Sequence, residues 1–142
     1  MRYLLDTNAC ISYLNNPLSL VRGRLQNLLP IDVVLCSVVE AELYFGVMKS
    51  ARVVENMEKL KIFLRQFESL PFDSIAASEF GSIRALLANL GAPIGPYDLE
   101  IAAIARANSL TLVTHNTREF QRVPGLLFVD WECEVISDEA CD

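Results

Sequence analysis

The sequence of 142 residues holds one histidine, His115. A metal centre built from several histidines is therefore excluded, and a Ser-His-Asp or Cys-His nucleophile would have to use that one ring. The four cysteines (Cys10, Cys36, Cys133 and Cys141) form no CxxC pair and no zinc-ligand spacing. Cys10 and Cys36 stand among apolar residues and read as small core side chains in a reducing compartment. No lysine follows Lys61. Repeats, low-complexity tracts and an internal linker are all missing. No apolar stretch approaches the roughly 18 residues a membrane span requires. An acid, Asp6, stands where a signal peptide would need its apolar centre. A cytoplasmic protein without membrane contact is the expectation.

What is present is enough for one ordinary domain, with 52% apolar and 21% charged residues. The formal net charge is −6, which at face value opposes nucleic-acid binding. Its distribution alters that reading. Asp130, Glu132, Glu134, Asp138, Glu139 and Asp142 crowd the last 13 residues without a base, and the preceding 129 residues are neutral. The chain divides into a domain over 1–131 and an acidic tail over 132–142, read as a solvated terminus. If some acids of the body share a metal site, the rest of its surface is mildly basic, so charge alone neither supports nor excludes RNA.

Along the body, apolar runs and helical stripes alternate. Tyr3–Leu5, Ile31–Cys36, Leu110–Val113 and Leu127–Val129 read as buried strands, and Leu70–Phe72 as a short edge strand at best. Helices are predicted from Asp6 through Leu14, over Leu18–Leu29, and from Ser37 toward Ser50. Further helices are predicted over Val53–Phe67, Asp73–Leu90 and Tyr97–Asn108. Ser37-Val38-Val39-Glu40 reads as a capping box, Gly91 as a C-cap, and Thr114–Thr117 as a loop. The alternation predicts an α/β domain: a three-layer α/β/α sandwich around a mostly parallel sheet.

Ligands of an open parallel sheet bind outside the carboxyl ends of its strands. Asp6 ends the first strand, Glu42 lies inside the helix after the second, and Asp98 opens a helix behind a Gly-Pro turn. Asn116 and Glu119 follow Val113. Carboxylates gathered there repel one another unless a cation neutralises them. A hard divalent ion with oxygen ligands, Mg²⁺ or Mn²⁺, is the natural solution. The implied chemistry is metal-assisted hydrolysis of a phosphodiester. Each acid also has a plainer reading. Asp6 can cap its helix, Asp98 can sit at a helix N-terminus for its dipole, and Glu119 can pair with Arg118 or Arg122 on the surface. Glu42, among Val38, Ala41, Leu43 and Phe45, is harder to dismiss. Arg84, Arg118 and Arg122 are candidates to hold backbone phosphates.

Four blocks in order resemble the PIN domain, and more closely the VapC toxins of bacterial toxin–antitoxin pairs. They are Met1–Asn8; Glu42–Gly46; Ile94–Leu99 with Ile101–Ala103; and Leu112–Phe120. Arg122–Leu126 and Asp130-Trp131 fit the same group. The resemblance implies a Mg²⁺- or Mn²⁺-dependent ribonuclease, a homodimer, and inhibition by a VapB antitoxin whose C-terminal segment occupies the groove. It puts Asp6, Glu42 and Asp98 on the three acidic metal-site positions. Many PIN domains carry a fourth acid two residues after the threonine that Thr114 matches. Here that place holds Asn116, and Glu119 can supply the charge. Thr7 and Asn8 orient Asp6 and line the site. The Asn116–Phe120 pattern resembles toxins that cut initiator tRNA in the anticodon stem-loop.

Other classes fit less well. An aspartyl-nucleophile phosphatase needs a second aspartate where Asn8 stands. A phosphoacceptor receiver domain needs an acidic pair at Asp6 and a late lysine, and has neither. A catalytically silent PIN-like module binding RNA or protein is the remaining alternative.

Overall fold

The computed structural model describes residues 2–133. Its centre is a sheet of five strands, β1 (Tyr3–Leu5), β2 (Val33–Cys36), β3 (Glu68–Leu70), β4 (Thr111–Val113) and β5 (Leu127–Val129). All pair in parallel, in the order β3-β2-β1-β4-β5. The chain moves outward from β1 through β2 to β3, then crosses back to start again at β4. With right-handed crossovers, helices α1 (Thr7–Asn15), α2 (Leu20–Gln26), α3 (Ser37–Met48) and α4 (Val53–Leu64) cover one face. Helices α5 (Ser74–Asn89), α6 (Pro96–Ala107) and α7 (Thr117–Phe120) cover the other. The expected three-layer sandwich is the architecture found. Its topological switch point falls between β1 and β4, where neighbouring strands send their chains to opposite faces.

Burial explains the element types. Every residue of β2 and β4 is buried, as befits strands covered on both faces. In α6, Ile101, Ala102, Ala103, Ile104 and Ala105 are all fully buried. This apolar stretch of α6 belongs in the interior, and α6 packs along α5. Asp73 caps α5 by accepting the Ala76 N–H at 2.9 Å, and Gly91 follows that helix at φ 67°, a conformation that favours glycine. Phe63, buried, meets Tyr13 and Phe67 with ring centroids 5.0 and 5.2 Å away.

Several local predictions differ from the structure. The edge strand is Glu68–Leu70 rather than Leu70–Phe72, since Pro71 cannot donate to a ladder. The second helix is shorter than Leu18–Leu29 and starts behind Ser19, whose hydroxyl accepts the Val21 N–H. Ser37 and Glu40 form no capping box. Cys36 is the N-cap of α3, without a side-chain bond, and the Glu40 carboxylate accepts the Ser69 hydroxyl at 2.6 Å. The Thr114–Thr117 loop runs directly into the short helix α7. Cys10 and Cys36 are buried as expected, and burial holds the Cys36 thiol at about 11.

Phe120 pins α7 to the core and is fully buried. Phe120→Ala is expected to cost about 3–5 kcal/mol in urea denaturation. A cost below about 1 kcal/mol would show that α7 is not anchored there.

Candidate active site at the switch point

Asp6 leaves β1 and becomes the N-cap of α1, its Oδ1 accepting the Ala9 N–H at 2.8 Å. The plain capping role is therefore real, yet it does not account for the setting. Asp6 is only 4% exposed. Burial pushes its carboxyl up to about 6, against the Thr114 hydroxyl and Ala9 N–H that favour the ionised form, with Glu132 and Glu42 adding repulsion. Asp98 sits in the first turn of α6, behind Pro96. Burial and the facing charges of Glu119, Asp6 and Glu42 push it up to about 7.

Glu42 approaches from α3 and is half-buried, rather than enclosed by its apolar neighbours. The Thr7 hydroxyl donates to its Oε1 at 2.7 Å, so Thr7 orients Glu42, and not Asp6 as the resemblance implied. Glu119 makes no surface pair with Arg118 or Arg122. Its Oε1 accepts the Gly95 N–H at 2.8 Å and its Oε2 accepts the Asn116 amide at 2.5 Å. A methyl group built on Gly95 would stand 3.9 Å from carboxylate oxygens of both Asp98 and Glu119. Asp6, Glu42, Asp98 and Glu119 thus converge from four elements. Among the described residues, no ion pair joins any of them to a lysine, arginine or histidine. Neutral donors hold an excess of negative charge in place, and this fits a divalent cation.

The other candidates fall in different places. Asn8 and Thr7 line a groove of about 630 Å³ that begins at Glu42 and has Phe45, Tyr97 and Glu100 in its walls. Thr114 is buried and its hydroxyl accepts the Asn116 N–H at 3.0 Å. The structure ties neither Arg84 nor Arg122 to the acids. The Arg84 guanidinium lies 5.9 Å from the Phe80 ring centre. Arg122 donates to the Pro93 carbonyl at 3.2 Å and steadies the loop before Asp98. Arg118 is exposed.

A neighbouring group stands outside the residues expected at the site. His115 Nδ1 lies 2.9 Å from Asp130 Oδ2 and 3.9 Å from Glu132 Oε2. These three residues can present ligand atoms all within 4.8 Å of one another, a spacing that no trio of the four converging acids reaches among the described residues. Hydrogen bonding to Asp130 raises the His115 pKa. The available signal was the position of Asp130, directly after the last strand. Beyond Cys133, the tail acids Glu134, Asp138, Glu139 and Asp142 lie outside the described residues.

Comparison with known proteins gives the family of the chain. The PIN domain family model matches residues 3–126. The chain is 41% identical to the tRNA(fMet)-specific endonuclease VapC of Shigella flexneri over 92% of its own length and 98% of that protein. It is 38% identical to ribonuclease VapC2 of Rickettsia felis, over 93% and 99%. The crystal structure of VapBC2 from Rickettsia felis, bound to a DNA fragment from their promoter, superposes with a TM-score of 0.87 at 37% identity. That match covers 92% of this chain and 99% of that one.

The raised acids make stability depend on pH. The folded chain keeps protons on Asp6 and Asp98 up to about 6 and about 7, whereas the unfolded chain releases them near 3.8. Between those values the folded state binds more protons, so its stability falls as pH rises from about 4 to about 7. In EDTA, the melting temperature is expected to be lower at about pH 8 than at about pH 5.5, by on the order of 5 °C. Mg²⁺ is expected to restore it at the higher pH and change little at the lower one. A melting temperature indifferent to Mg²⁺ at both would contradict a cation site.

Proposed function

Since the chain belongs to the PIN-domain family, we propose that it is a VapC-type toxin, an endoribonuclease dependent on a divalent metal and inhibited by a VapB antitoxin. The observation that carries this reading is the gathering of Asp6, Glu42, Asp98 and Glu119 at the switch point without a protein cation. Asp6, Glu42 and Asp98 are the residues that would hold Mg²⁺ or Mn²⁺. The ion, when bound, supplies an acidified water and offsets charge on the phosphoryl oxygens.

The chain's own residues do the rest. Thr7 fixes Glu42, and the start of α1 fixes Asp6, so both carboxylates are oriented before substrate arrives. Phe45 and Tyr97 are 62% and 59% exposed beside Glu42 and offer aromatic faces to unpaired bases. That favours a single-stranded loop, and the anticodon stem-loop of initiator tRNA agrees with the Asn116–Phe120 pattern. Water adds to phosphorus and the bond to O3′ breaks, leaving a 3′-hydroxyl and a 5′-phosphate. A cytoplasmic homodimer completes the reading. Among the described residues, no helix is long and apolar enough to cross a membrane.

Asp6→Asn separates this enzyme from a silent binding module. Asparagine caps a helix as well as aspartate does, and it removes the desolvated charge, so the fold is expected to hold with an equal or higher melting temperature. Cleavage of the tRNA is expected to fall on the order of 10²-fold or more, as when transition-state charge loses a stabilising group. Full activity of this variant in EDTA would refute the metal reading. Sequencing of the cut ends is expected to find 5′-phosphates, and 2′,3′-cyclic phosphates would refute the hydrolytic step.

A further inference from the structure

Asn116, Thr117, Arg118 and Glu119 have the form of a helix start, an N-cap asparagine with glutamate three residues on. In that setting the asparagine side chain accepts a backbone N–H of the first turn, and the glutamate reaches back to the N–H of the cap residue. Neither happens here. Asn116 stands at the N-cap of α7 and makes no side-chain capping bond. The backbone N–H of Asn116 goes to the Thr114 hydroxyl at 3.0 Å. Its side-chain amide donates instead to Glu119 Oε2 at 2.5 Å. Glu119 Oε1 reaches 24 residues back along the chain to the Gly95 N–H, at 2.8 Å.

Both side chains thus forgo local capping for a clamp that fixes one carboxylate across Gly95 from Asp98. Each oxygen of Glu119 has one neutral donor, and its carboxyl also shares a hydrogen bond with that of Asp98. From these contacts we infer that Asn116 is a positioning residue, which holds Glu119 in place as the fourth acid of the metal site and does not itself take a place among the ligands. The inference rests on the metal reading above and adds a division of labour within it. It also accounts for a neutral residue at this position. An aspartate there would set a second negative charge against Glu119 and open the clamp, whereas the asparagine amide brings donors and no charge.

Direct Mn²⁺ binding, followed by electron paramagnetic resonance on the full chain, tests this apart from activity. Asn116→Ala is expected to weaken Mn²⁺ binding about 10–100-fold, the usual cost of removing a group that orients a ligand. Its melting temperature in EDTA should stay within about 2 °C of the wild type, because the side chain caps nothing. Asn116→Asp is expected to weaken binding as well. If Asn116 were a ligand, the added charge would tighten binding, so a tighter Asn116→Asp variant overturns the inference. In a Glu119→Gln background, Asn116→Ala is expected to cause little further loss, and additive losses would also overturn it. Equal Mn²⁺ binding by wild type and Asn116→Ala defeats this inference alone. A wild-type chain that binds no Mn²⁺ defeats the metal reading and the inference with it.

Discussion

Like charges crowded at low solvent exposure repel, and the active edge of this molecule is organised around that repulsion. Asp6, Glu42, Asp98 and Glu119 arrive from separate elements, and the donors that hold Asp6, Glu42 and Glu119 are neutral: the Ala9 and Gly95 amides, the Thr7 hydroxyl and the Asn116 side chain. Neutral donors fix direction without cancelling charge. On the proposed metal reading the cancellation falls to an ion, and without one the crowded acids are a local cost to the folded chain.

The scaffold carries that cost through burial elsewhere. Strands β2 and β4 are closed off on both faces, and α6 buries Leu99 and Ile101–Ala105 in the core. Asp98 is therefore mounted on the end of a helix anchored in the core, and Asp6 on the rim of a central strand. A site built on such elements keeps its geometry better than one on mobile loops. Glu119 sits on the short helix α7, and it is correspondingly the acid with the most elaborate fixing, through Gly95, Asn116 and the buried Phe120 beside it.

Two of the three arginines expected to meet phosphate have partners within the chain. Arg122 steadies the loop ahead of Asp98, and Arg84 lies against Phe80. Arginine has five donors and a flat face, so its presence near a site in sequence says little about which partner it takes. His115, read as a loop residue, is bound to Asp130 and stands close enough to Asp6 to feel its charge.

The residues alone determined the α/β class and the position of four of the five strands and of the long helices. Those features rest on local causes: apolar period and capping chemistry. The capping box at Ser37–Glu40 and the edge strand near Pro71 were misread because each depended on a partner distant in sequence, Ser69 for Glu40 and β2 for Glu68–Leu70. Only the tertiary structure decided that β1 and β4 lie side by side, so that Asp6 meets residues more than a hundred positions away. It also decided that Glu119 turns from its own helix to Gly95. Hydrogen bonds across such separations leave no periodic trace in the chain, because they follow from how whole elements pack.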